Sequence, residues 1–181
     1  MATTDANGIV FLEETDPISP FHTLMNTMQQ GTSDAITSLK SATPYIRYAV
    51  PSDQARPAAS WGQVNVSSET HSQGTPFCTN NGQGVISISE AGLYLLDTTI
   101  TMSAANFAVR IFSVTGNRSL GQSGFSAGTS FAAHATANFP LAAGEQIIVQ
   151  VYPTSALSVK ADSAGASIGQ QVPSFVTLTK M

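Results

Sequence analysis

The chain has 181 residues, with seven Lys or Arg against eleven Asp or Glu, a net charge of −4, one cysteine and no basic cluster. That balance excludes a nucleic-acid binder that relies on phosphate neutralisation, and a lone cysteine excludes an internal disulfide framework. A hydrophobic fraction of 42% excludes a disordered chain, and no apolar run approaches the ~20 residues a helix needs to cross a bilayer, so no membrane insertion is expected.

Residues 1–19 carry Asp5, Glu13, Glu14 and Asp16 and no basic side chain. Inside them lies an apolar strip, Ile9, Val10, Phe11 and Leu12. The stretch reads as an extended arm that docks through this strip on its own domain or on a neighbour; a frayed terminus is the plain alternative. The opening MATTDANG has neither a basic start nor an apolar stretch, so no secretory signal is expected and synthesis is expected in a host cytoplasm. The N-x-S/T triplets at Asn65 and Asn117 then carry no weight.

Residues 20–43 hold the helix. Ser19 can cap it and Pro20 suits its first turn. Phe21, Leu24, Met25 and Met28 follow the i, i+3, i+4, i+7 pattern of one apolar face, and Ala35, Ile36 and Leu39 continue it to about residue 41. Positions 21, 25, 28, 32, 35 and 39 also keep a 4-3-4 spacing. Phe21, Met25, Met28 and Leu39 are therefore candidates for the seam of a self-associating bundle. The other reading is a helix packed on its own domain. A seam this short, with Gly31 and Thr32 in it, does not hold alone and needs another domain to bring the chains together.

Pro44 ends the helix, and the rest reads as β. Residues 45–50 have strand composition, 51–60 form a Pro- and Ala-containing loop, 61–66 alternate, and 67–83 are polar enough to be a loop. Ile86 and Ile88 alternate with serines. Gly92 opens a long strand with Tyr94, Leu96, Thr98, Ile100 and Met102 on one face. Phe107, Val109 and Ile111 share a face of 107–114, and Gly116-Asn117 turns the chain. A Gly- and Ser-rich piece leads to a weak strand at 131–139, a turn over Pro140–Gly144, a strong strand at 145–152 and a last one at 174–180. Short strands with Gly or Pro turns predict an all-β sandwich or barrel.

Catalytic patterns are sparse. Gly128-Thr129-Ser130-Phe131-Ala132 resembles the nucleophile segment of subtilisin-like proteases, but the other two segments of that family are missing: Asp97 is followed by Thr-Thr and His71 by Ser-Gln. His22, His71, His134 and Cys78 have no ligand spacing, so no cofactor and no metal are expected; copies of His71 or His134 meeting on a trimer axis are the remaining metal arrangement. Cys78 reads as a small buried residue. Glu90 and Glu145 flank glycines at strand starts, where turn chemistry accounts for them. Asp97 interrupts an apolar strand and is expected to face outward. Trp61 is either a core ring or an exposed ring on which a sugar stacks. With 10% charged residues against a usual ~25%, and 23 Ala, 22 Ser and 20 Thr, the chain looks more like a β-rich assembly protein than a free enzyme.

From Phe77 onward an ordered set of segments appears: Gly84-Val85-Ile86-Ser87-Ile88, Ala91-Gly92-Leu93-Tyr94-Leu95-Leu96, Val109-Arg110-Ile111, Leu141-Ala142-Ala143-Gly144-Glu145-Gln146-Ile147 and Ser174-Phe175-Val176-Thr177-Leu178. This order resembles the C1q/tumour-necrosis-factor-like jelly roll over about residues 60–181, departing from it between 116 and 138. The family's calcium ligands have no counterpart here. The resemblance implies an antiparallel jelly-roll head over 44–181 and a compact homotrimer. Separately, Phe11-Leu12-Glu13-Glu14-Thr15-Asp16-Pro17-Ile18 followed by a helix resembles small minor tail proteins of tailed bacteriophages.

Together these readings predict a non-enzymatic virion structural protein of a phage. Residues 1–41 would contact other virion proteins, with Ile9, Val10, Phe11 and Leu12 as the anchor, and the head would touch a host surface glycan or protein. A head-decoration or head-fibre protein of the capsid, and a free lectin-like or cytokine-like module, are the alternatives.

Overall fold

In the computed structural model, which describes residues 3–4, 10–11, 26–34, 43–126, 131–161 and 174–181, the chain divides into two compact units, Met1–Ala42 and Thr43–Met181. In the first, β1 (Thr3–Thr4) pairs antiparallel with β2 (Val10–Phe11), so the stretch expected as an extended arm contains a two-stranded pairing. Helix α1 spans residues 26–34, inside the expected helical segment. Its polar side chains bond along the axis: Thr32 Oγ1 donates to the Met28 carbonyl at 2.9 Å and Gln30 Nε2 to Asp34 Oδ1 at 2.7 Å, both four residues apart. Met28 is exposed. Ile9, Leu12, Phe21, Met25 and Leu39 lie outside the described residues, as do His22 and Ser130.

The second unit is built from β3 (Tyr45–Ala49), β4 (Gln54–Arg56), β5 (Gly62–Val64), β6 (Ser68–Gln73), β7 (Cys78–Asn80), β8 (Ile86–Ile88), β9 (Gly92–Thr101), β10 (Phe107–Ser113), β11 (Arg118–Gln122), β12 (Ala132–Leu141), β13 (Gln146–Pro153), β14 (Leu157–Val159) and β15 (Phe175–Lys180). One sheet runs β11–β10–β13–β8–β7, with β5 also paired to β13; the other runs β12–β9–β15–β3–β6; β14 and β4 form a separate ribbon. Neighbours far apart in sequence, such as β9 beside β15, mark a Greek-key order rather than a meander.

Alternation decides what is buried. Tyr94, Leu96, Thr98, Ile100 and Met102 all turn inward, as their two-residue spacing predicts, and meet Phe107, Val109 and Ile111 of β10 and Val149 and Val151 of β13 in one core. Removing such side chains from water contributes roughly 1.5–3 kcal/mol each. The buried hydroxyl in this row is satisfied: Thr98 Oγ1 donates to the Phe175 carbonyl at 2.7 Å.

Four expectations are corrected. Residues 67–83 are not one loop, because β6 and β7 lie within them. All six residues of β6 are exposed; the strand is held by backbone pairing to β3 on one side, so it has no apolar period to read. The loop at 51–60 contains β4, whose partner β14 is equally short and was missed. The Gly- and Ser-rich piece contains β11, joined to β10 across a bulge. Finally, β12 continues through Pro140 to Leu141 instead of turning there. β12 is an edge strand, where a residue without an N–H breaks no inner ladder.

Candidate functional site

Because β9 turns its even-numbered residues inward, its odd-numbered ones form the opposite, outward face of the five-stranded sheet. That face opens with two leucines: Leu93 is 44% exposed and Leu95 39%. Pairing places Leu95 in a row with Asn138 of β12, Thr179 of β15 and Tyr45 of β3. The next row holds Thr136, Asp97, Thr177, Arg47 and His71, and the third holds His134, Thr99, Phe175 and Ala49. The face thus mixes threonines, the two leucines and the rings of Tyr45 and Phe175 with Asp97, Arg47, His71 and His134.

Asp97 and Arg47 each have a contact on the face itself. Asp97 faces outward as expected, and its Oδ1 lies against Nε2 of His134 on the neighbouring strand. The Arg47 guanidinium lies 4.0 Å from the centre of the Phe175 ring, a cation–π contact between adjacent strands. Leu93 and Leu95 were overlooked in the sequence, although Gly-Leu-Tyr-Leu-Leu places apolar residues on both faces of the strand. The Asp97–His134 pair has no sequence signal at all, because it depends on the register of β9 with β12.

Of the protease-like residues, Asp97 and His71 do not converge. Asp97 and His71 share a row but sit on strands separated by β15 and β3, three strand spacings or about 14 Å apart. Among the described residues no three His, Cys, Asp or Glu side chains gather as a metal site. Cys78 is buried, as expected, with its Sγ 3.9 Å from the Tyr48 hydroxyl. Burial pushes its thiol up to about 11.

Glu145 has the turn role expected of it. Its Oε2 accepts the Ala142 amide at 3.1 Å, while Oε1 accepts the Ser113 hydroxyl at 2.6 Å and Arg118 Nη2 at 3.2 Å. Burial alone would raise its carboxyl; the Ser113 hydroxyl, the Ala142 amide and Arg118 outweigh that and hold it below the usual value. Glu90 pairs with Lys180.

Trp61 is neither in the core nor freely exposed. It is half-buried on the outward face of the other sheet, 5.5 Å from Tyr152 between ring centres, with the Arg110 guanidinium 4.2 Å from its own.

No family model matches the chain, and no curated protein matches it in sequence. Solved structures match it in shape. The TNF Eiger from S. frugiperda aligns at 15% identity over 77% of this chain and 91% of its own, with a TM-score of 0.51. Murine APRIL at pH 5.0 aligns at 13% identity over 77% of this chain and 99% of its own, with a TM-score of 0.55, and murine APRIL at pH 8.0 at 16%, over 76% and 98%, with 0.53. At these identities the likeness is one of fold, and the chain has the antiparallel TNF-like jelly-roll fold that the ordered segments from Phe77 to Leu178 imply.

Proposed function

We propose that the chain is a homotrimeric, non-enzymatic binding head, and that its N-terminal unit fixes the trimer to a bacteriophage particle as a minor tail component. One observation carries the first part: Leu93 and Leu95 stand exposed on alternate positions of β9, on the outward face of the five-stranded sheet. Outward positions of a sheet that faces water are normally polar, and adjacent exposed leucines mark a surface to be covered. A closed three-fold arrangement of this face is the assembly that the jelly-roll resemblance implies, and it would bring three ligand sites together on one rigid body. It would also supply the proximity that the short seam of Phe21, Met25, Met28 and Leu39 needs. Met28, exposed within its own chain, suits that role.

The virion part rests on the sequence: the Phe11–Ile18 segment, the helix behind it and the charge-poor surface. Ile9, Val10, Phe11 and Leu12 are the proposed anchor to other virion proteins. Deleting residues 1–19 is expected to leave a folded head that no longer enters particles. Normal incorporation of the truncated protein would refute the anchor.

A further inference from the structure

The opposite side of the head, the outward face of the six-stranded sheet, carries a second pattern. Arg110 on β10 pairs in register with Gln122 on β11 and with Gln150 on β13, and Gln150 pairs with Gln63 on β5. The result is one row, Gln122–Arg110–Gln150–Gln63, across four strands and about 14 Å long. Because successive side chains alternate, all four point away from the core, where Val109, Ile111, Val149 and Val151 are buried.

Aromatic rings border this row. On one side, Tyr152 pairs in register with Ala108, whose side chain is a single methyl group. The small residue leaves room for Phe125 to reach Tyr152, edge to face, with ring centres 6.0 Å apart and planes at 86°. Trp61 flanks Tyr152 from the other direction, tilted by 58°. Phe125 is 56% exposed. On the other side of the row, Phe112 lies 4.5 Å from the Arg110 guanidinium.

The row is held in place. Arg110 Nε donates to Gln150 Oε1 at 2.8 Å, and Gln63 Nε2 donates to the Gln83 carbonyl at 2.8 Å. The guanidinium lies over the rings of both Trp61 and Phe112. Its bonded acceptor is a neutral amide, and among the described residues no carboxylate pairs with it. Among the described residues, Arg110 is therefore a positioned cation that meets no carboxylate.

We infer that this face is a binding site for an acidic oligosaccharide. Each feature matches a part of such a ligand. Ring faces take the apolar C–H side of a sugar ring. Glutamine amides both donate to and accept from hydroxyls, and three of them in one line suit a chain of hydroxylated rings. The guanidinium, whose described acceptor is the neutral Gln150 amide, selects a carboxylate, which the rest of its planar donor fork can hold in two parallel hydrogen bonds. The row is long enough for more than one sugar unit. This inference names the ligand class of the binding role proposed above, but the site lies within a single chain and needs no trimer.

Trp61 is the chain's one tryptophan, so its emission reports this site directly. Titration of the full chain with 3′-sialyllactose, and separately with a tri-galacturonate, is expected to change that emission saturably for at least one of them, while lactose leaves it unchanged. Arg110→Lys is expected to weaken the acidic ligand at least tenfold, because a point charge cannot reproduce the fork. Tyr152→Ala is expected to do the same by removing the central ring. No response to either acidic sugar in the wild-type chain, an equal response to lactose, or binding unchanged in Arg110→Lys would overturn the proposal and leave the stacked arginine as packing alone. A Leu95→Glu variant separates the two readings. If the trimer fails and the site stands, free trisaccharide affinity is kept and avidity on a sugar-coated surface is lost.

Discussion

The Ser113 hydroxyl donates to Glu145 Oε1 at 2.6 Å across 32 residues of sequence, joining the end of β10 to the start of β13. Ser113 is fully buried and Glu145 is 6% exposed, so the bond is sheltered from water. The carboxyl's folded value lies below its ordinary value of 4.5. A group whose pKa falls on folding stabilises the fold above its unfolded value and loses that contribution as pH drops through the folded one. Stability of the head is therefore expected to fall on acidification below about pH 5. Glu145→Gln should flatten this dependence, and Ser113→Ala should lower stability by about 1–3 kcal/mol. Urea midpoints between pH 7 and pH 3 measure both; parallel pH profiles for wild type and Glu145→Gln would contradict the assignment.

Gly121 on β11 has no room for a side chain. An added Cβ would sit 2.2 Å from the carbonyl oxygen of Thr136 and 2.9 Å from its carbon, both backbone atoms of β12. Gly121→Ala is expected to cost about 1–3 kcal/mol by forcing the two strands apart. Gly124, three residues on, meets nothing within 4 Å, so Gly124→Ala should not lower stability. Denaturant midpoints of the two variants should differ in this order; equal midpoints would place β11 elsewhere.

Cys78 is screened in the same way. With its thiol raised to about 11 by burial, only about one in a thousand is thiolate at pH 8. Labelling of the native chain with an aromatic disulfide reagent is expected to be far slower than in urea. Rapid labelling of the native protein would show that the edge at β7 opens readily.

Legibility in the sequence followed how much of a strand's fate its own side chains decide. β9 and β10 were readable because each carries a row of large side chains at two-residue spacing that one face can bury. Burial of Tyr94, Leu96, Thr98, Ile100 and Met102 follows from spacing alone. β6 was unreadable because Ser68–Gln73 is exposed on both faces and owes its conformation to the backbone of β3. β4 and β14 were unreadable for another reason: each has only three residues, too few to set a period, and is paired with the other across about a hundred residues of chain, although Leu157 and Val159 of β14 are buried. The surface features were harder still. In the sequence Arg110 reads only as part of a strand, and Trp61 as either a core ring or an exposed one. Their stacking depends on β13 lying beside both β10 and β5, an order that no local pattern contains. The two leucines were the exception, since Leu93 and Leu95 break the alternation of β9 in plain view.

Those leucines give the most direct test of the central claim. Light scattering of the purified 181-residue chain is expected to return a mass near three times 18.8 kDa, and Leu93→Glu with Leu95→Glu is expected to return a folded species near 18.8 kDa. A monomeric wild type, or a double variant that remains a trimer, would contradict the account, because the outward face of the five-stranded sheet would then not be the surface that joins the chains.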